Sequence, residues 1–165
     1  RRIKLHAEQH GIDPDRIGVT GGSAGGHLSL MLGLSSDAGD QAAESALAKQ
    51  GNEVAAVVAY FPPVDLRRMV GPSERFPALN FDAEKAASIS PILHADPEDP
   101  PTLLIHGDAD ELVNIRNSEI MYAEFQKQGV VSEFITIEGG AHGFRGEHAT
   151  QAAAARLAWF EEHLR

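Results

Sequence analysis

The sequence predicts an α/β fold, a mostly parallel sheet with helices on both faces, and three observations carry that prediction. Apolar runs of strand length alternate along the chain with stretches of helical periodicity, the pattern of units that builds parallel sheets. Two of those runs, residues 54–60 and 102–106, are apolar almost without a break, as strands buried on both faces are. Finally, Gly21-Gly22-Ser23-Ala24-Gly25 falls between a short apolar run and a hydrophobic helix-like run. That G-x-S-x-G arrangement describes a strand-to-helix turn so sharp that only small residues fit around the serine.

Taken in order, residues 2–10 read as a helix end closed by Gly11, a residue suited to the left-handed conformation. Asp13-Pro14-Asp15 is a turn, and residues 17–20 form a short strand that feeds Ser23. Over residues 24–34, Leu28, Leu30, Met31, Leu32 and Leu34 crowd every face, which predicts a helix in the interior. Residues 40–50 read as a polar surface helix ended by Gly51-Asn52, and residues 54–60 as the next strand.

Eight of the nine prolines then fall between residues 62 and 101. Proline fixes the backbone and removes a donor, so this region is not regular sheet. It is expected to be an irregular excursion over residues 67–100 with one short helix near 82–87, either a small cap or a surface loop. Residues 102–106 resume as a buried strand. A helix follows at 117–128, with Met121, Tyr122 and Phe125 as its apolar stripe and Gly129 closing it. Residues 132–137 form the fourth strand. The last helix carries Ala153, Leu157, Phe160 and Leu164 on one stripe, and Trp159 and Phe160 are expected in the core.

Composition narrows the function classes. A chain of 165 residues with 42% hydrophobic and 23% charged residues has the makings of one globular domain. The formal charge of -10 argues against nucleic acid or an anionic membrane as partner, because both would be repelled. No apolar run reaches the length of a membrane span. Without cysteine there are no disulfides, no thiol catalysis and no Cys-based metal site.

In a parallel sheet the loops after the strands gather at one edge, where sites form. Such loops hold Ser23 after the first strand, Asp65 after the second, Asp108 and Asp110 after the third, and His142 after the fourth. A serine hydroxyl needs a base to become a nucleophile, and a neutral imidazole suits that task near neutral pH. A carboxylate then fixes the imidazole's tautomer and stabilises it once charged. The spacing leaves Asp65, Asp108 and Asp110 open as that carboxylate, Asp108 also being placed to stabilise the turn after its strand. His106 and His27 read as structural, one ending a buried strand and the other starting a buried helix. The remaining histidines show no ligand spacing, so neither a metal nor a cofactor is expected.

Four stretches together resemble the C-terminal portion of an α/β-hydrolase, similar to the hormone-sensitive-lipase-like and the acetyl-xylan and feruloyl esterase-like groups. They are residues 16–26, Ser90-Pro91, residues 101–113 and residues 139–144. The resemblance implies Ser23 as nucleophile, Asp110 as the acid and His142 as the base, in the order Ser, acid, His that this architecture uses. It also implies the backbone N–H of Ala24 as an oxyanion donor. The implied activity is hydrolysis of carboxylic esters, with short-chain acyl esters or acetylated or feruloylated sugars as substrate. The alternatives are an oligopeptidase of the same fold and an inactive or binding-only module.

The family's glycine-rich HG-type loop, which supplies a second oxyanion donor, lies upstream of the elbow and has no counterpart in these residues. Residues 1–165 are therefore expected to be a partial domain. Its first strand would be a bare edge, and the chain on its own would aggregate or be barely active.

Overall fold

The computed structural model describes residues 1–74 and 76–165; Arg75, within the expected excursion, lies outside the described residues. Four strands pair in parallel in the order β1-β2-β3-β4: β1 (Gly18–Gly22), β2 (Ala56–Tyr60), β3 (Thr102–Gly107) and β4 (Ser132–Ile137). Val19 registers with Val57, Val58 with Leu103, and Ile105 with Ile135. Strand alternation divides the core in two. Val57, Ala59 and Leu104 point to one face, where they meet Leu30 and Leu34 of α3 (Ala24–Leu34) and Met121 and Phe125 of α5 (Arg116–Gln128). Ala56, Val58, Leu103 and Ile105 point to the other face, against Ala152 and Trp159 of α6 (Gly146–His163). The predicted α/β architecture with helices on both faces is thus present, and every residue of β3 is buried.

Several local expectations are corrected. The opening helix is two short ones, α1 (Arg2–Leu5) and α2 (Ala7–His10), broken where His6 leaves helical geometry at φ −111°; Gly11 closes the second at φ 62°. The polar helix expected at 40–50 shrinks to α4 (Ala46–Lys49), capped by the Ser45 hydroxyl, which accepts from Ala48 N–H. Before it, Asp40 uses its carboxylate to accept Ala42 N–H, a local turn that competes with helix.

The helix α3 is not interior all round. It packs over β1 and β2 at the margin of the sheet, and Leu28 on its outer flank is 64% exposed. On α6 the expected stripe fails at Leu157, which is exposed, while Trp159 is buried and Phe160 and Leu164 pack against the core; the Trp159 indole N–H donates to the Pro101 carbonyl at 3.4 Å. Among the described residues the excursion contains no α-helix, and the short helix expected near 82–87 is of the 3-10 type. The excursion is built of short 3-10 turns, including Leu66–Arg68, Pro77–Leu79, Ala83–Lys85 and Ala87–Ile89.

Candidate active site

The turn around Ser23 is as tight as the glycine spacing implies. Between β1 and α3, Ser23 adopts φ 56° and ψ −121°, a strained conformation for a residue with a side chain. Its N–H donates to the Tyr60 carbonyl at 3.0 Å, and its own carbonyl accepts His27 N–H at 3.0 Å. The elbow is thereby tied to the end of β2 and to the first turn of α3. A Cβ on Gly21 would collide with the backbone of Gly25, and one on Gly26 would stand 2.7 Å from the Tyr60 carbonyl. Ala24, the next residue, starts α3, and first-turn N–H groups have no partner inside their helix.

The loop after β3 and the loop after β4 are stitched together. Ala109 N–H donates to the Gly140 carbonyl at 3.1 Å, and Asp108 N–H to the Ile137 carbonyl at 3.3 Å. Gly139 N–H donates to Asp108 Oδ1 at 2.6 Å. The carboxylate of Asp108 is therefore spent on bridging the two loops. Asp110 lies further along, its side chain fully buried. Its Oδ1 accepts the N–H groups of Leu112 and Val113, each at 2.9 Å, and its Oδ2 lies 2.8 Å from Nδ1 of His142.

Burial opposes ionisation of Asp110, yet the Val113 N–H, the His142 ring and the Leu112 N–H outweigh it and hold the carboxyl below its ordinary value. An ionised carboxylate only accepts, so His142 presents Nδ1–H to it and keeps the lone pair on Nε2.

Two further residues shape this corner. Phe61, at φ 36°, lays its ring 4.5 Å from that of His142, centroid to centroid, and also packs edge-on against Phe144. A Cβ on Gly22 would stand 3.1 Å from that phenyl ring, so the Phe61 ring fills the space between the elbow strand and the His142 imidazole. Buried His106 is the second. Its Nε2 lies 2.8 Å from the Val113 carbonyl and 3.3 Å from Asp110 Oδ2, and its Nδ1 lies 2.7 Å from the Ser118 hydroxyl. A carbonyl only accepts, so Nε2 carries the proton and Nδ1 takes the hydroxyl's; burial pushes the ring's pKa down and keeps it neutral.

The structure thus joins Asp110 to His142 but gives the other carboxylates different partners. Asp65 holds Arg67 in a two-pronged pair, with Nε at 2.8 Å and Nη2 at 2.7 Å. Among the described residues no hydrogen bond links the Ser23 hydroxyl to His142; such contacts often form only once substrate is in place. What connects the two is Leu112, which lines both the cavity containing Ser23 and the cavity containing His142. His27 gives its Nε2 to the Ile89 carbonyl at 2.7 Å and so ties α3 to the excursion.

Sequence reasoning missed Phe61, for which only its place directly after β2 was a signal. His106, read from the sequence as structural, is buried with both ring nitrogens partnered, and it also lies 3.3 Å from Asp110 Oδ2. Among the described residues no cluster of three or more His, Asp or Glu could hold a metal ion, and no helix is long and apolar enough to cross a membrane.

Comparison with known proteins gives this geometry a setting. The family model described as BD-FAE matches residues 1–125. The probable carboxylic ester hydrolase LipM of Mycobacterium tuberculosis is 29% identical over 131 residues, which cover 70% of this chain and 29% of LipM. The esterase LipQ of the same organism is 27% identical over 153 residues, covering 86% of this chain and 36% of LipQ. The chain thus spans about a third of the length of these curated relatives. Among solved structures, a truncated carbohydrate esterase from gut microbiota superposes with a TM-score of 0.82 at 32% identity, covering 98% of this chain and 64% of that one.

Proposed function

Because the chain belongs to the BD-FAE family and has the α/β-hydrolase fold of its structural neighbours, we propose that it carries the catalytic centre of a serine carboxylic-ester hydrolase. The observation that carries this reading is the 2.8 Å contact between Asp110 Oδ2 and His142 Nδ1, at the sheet edge where Ser23 stands in its strained elbow. Esterases among the relatives and neighbours support the same class of reaction.

In this mechanism Nε2 of His142 takes the proton of the Ser23 hydroxyl as Oγ attacks the ester carbonyl carbon. The carbonyl oxygen becomes an oxyanion beside the Ala24 N–H, at the positive end of α3. Asp110 stabilises the imidazolium that forms. When the intermediate collapses, the C–O bond to the alcohol breaks and His142 returns its proton to the departing oxygen. Water, deprotonated by His142, then attacks the acyl-Ser23 ester, and the carboxylic acid leaves as Oγ regains its proton. The substrate is a short-chain acyl ester or an acylated sugar, and no metal or cofactor takes part.

A fluorophosphonate probe tests this directly. It is expected to form one covalent adduct on Ser23, located by peptide mass spectrometry, and to give none with Ser23→Ala. An adduct that persists in Ser23→Ala would overturn the assignment of the nucleophile.

A further inference from the structure

The proline-rich excursion faces the elbow and encloses a cavity there. The cavity is lined by Leu66, Met69, Phe76 and Leu79 and by Leu112 and Val113 of the loop after β3. Ser23 and Ala24 also line it, and its volume is about 310 Å³. The excursion is held over the site by fixed contacts. Leu66 N–H donates to the Ser90 hydroxyl at 2.9 Å, that hydroxyl donates to the Ala86 carbonyl at 2.7 Å, and Val64 N–H donates to Asn117 Oδ1 at 3.2 Å.

A second cavity of about 540 Å³ shares Leu112 with the first and is also lined by His142, Ala109, Glu111 and Ala141. The two cavities differ in chemistry: aliphatic and aromatic groups surround the first, whereas the second carries a carboxylate and the imidazole.

The direction of proton transfer decides which half of an ester each cavity takes. The departing alcohol oxygen receives its proton from His142, so the alcohol must lie in the cavity that contains His142. The carbonyl oxygen turns toward the Ala24 N–H, which leaves the acyl chain in the cavity that Ser23 and Ala24 share with the excursion. An acetyl group offers one methyl to that space. At about 30 Å³ for a water-sized group, roughly ten such groups would fill it. Burying each further methylene strengthens binding by about fourfold.

Resting on the serine-esterase reading above, we propose that the excursion is a small cap whose Leu66, Met69, Phe76 and Leu79 make an acyl-binding pocket, so that the enzyme prefers an apolar acyl group longer than acetyl.

The test is a chain-length series of p-nitrophenyl acetate, butyrate and hexanoate, with a second series of acetate esters whose alcohol grows from methyl to hexyl. The wild-type protein is expected to gain at least tenfold in kcat/KM from acetate to hexanoate. Ala78→Trp, an exposed position that lines the pocket, and Met69→Lys are each expected to flatten the acyl series, hexanoate falling to within about threefold of acetate in the same variant. A flat acyl series in a protein that still hydrolyses acetate and labels at Ser23 would overturn the pocket and leave the nucleophile standing. Loss of the alcohol dependence in place of the acyl dependence would assign the pocket to the alcohol and overturn the proposal. Failure to label Ser23 at all would instead refute the reading on which it rests.

Discussion

Gly107 at the end of β3 lies so close to Gly140 in the loop after β4 that a Cβ on Gly107 would collide with the Gly140 carbonyl. This backbone contact sets the distance between the two loops that carry Asp110 and His142. The Ala109–Gly140 and Asp108–Ile137 hydrogen bonds close around it.

Gly107→Ala is therefore expected to push the His142 loop outward. Over-packing at a backbone contact costs about 1–3 kcal/mol, which a urea unfolding curve would read as a lowered midpoint at unchanged slope. Displacing the base by about 1 Å is expected to lower kcat/KM for p-nitrophenyl butyrate by roughly 100-fold. A variant with wild-type activity would show that the loops keep their spacing without this glycine.

The four strands were legible because β2 and β3 are uniform apolar runs and β4 follows a glycine-closed helix; their order was not. Ser23 was legible because its glycines mark a conformation. The string G-x-S-x-G does not say which glycines are squeezed, however: Gly21 and Gly26 are, while a Cβ on Gly25 would meet open space. Spacing alone left Asp65, Asp108 and Asp110 open, since all three follow strands of one sheet, and the resemblance pointed to Asp110. In the structure Asp65 pairs with Arg67 and Asp108 with Gly139 N–H, while Asp110 meets His142. The role of Phe61 was invisible, because a ring contact between the ends of different strands leaves no local pattern. The 40–50 helix failed because Asp40 satisfies backbone donors locally, a competition that composition does not rank.

A second expectation concerns Asp99, at the start of the excursion's return into β3 and away from the Ser23 edge. Burial, and then the charge of Asp96, raise its carboxyl from 3.8 to about 6, although the Asp96 N–H at 2.7 Å pulls the other way. The unfolded chain gives up this proton near 3.8 and the folded chain only near 6. The group therefore costs stability progressively as pH rises through that window, and the cost persists at pH 7. Asp99→Asn keeps an acceptor for Asp96 N–H and removes the charge. It is expected to stabilise the protein at pH 7 by about 1 kcal/mol, after discounting for the partial exposure of the site, and to lose most of that effect by about pH 4. Urea midpoints at pH 4 and pH 7 for both proteins would check this. Equal midpoints at pH 7 would mean that solvent screens the group.

The third expectation separates positioning of the base from folding. In Asp110→Asn the amide oxygen can still accept the N–H groups of Leu112 and Val113, which hold the turn in the native protein. The amide nitrogen, however, would replace the oxygen that faces both Nδ1 of His142 and Nε2 of His106. A donor there forces His142 to present Nδ1 as an acceptor and to carry its proton on Nε2, the atom that must take the proton of Ser23. The expected loss in kcat is about 10⁴-fold, the cost of holding a catalytic histidine in the wrong tautomer. Asp65→Asn, by contrast, weakens only an exposed pair with Arg67 and is expected to leave kcat within twofold. Steady-state rates for both variants, with unfolding curves confirming that each is folded, would decide the matter. A near-native rate for Asp110→Asn alongside a large loss for Asp65→Asn would move the acid from the loop after β3 to the loop after β2, and the 2.8 Å contact would then be structural.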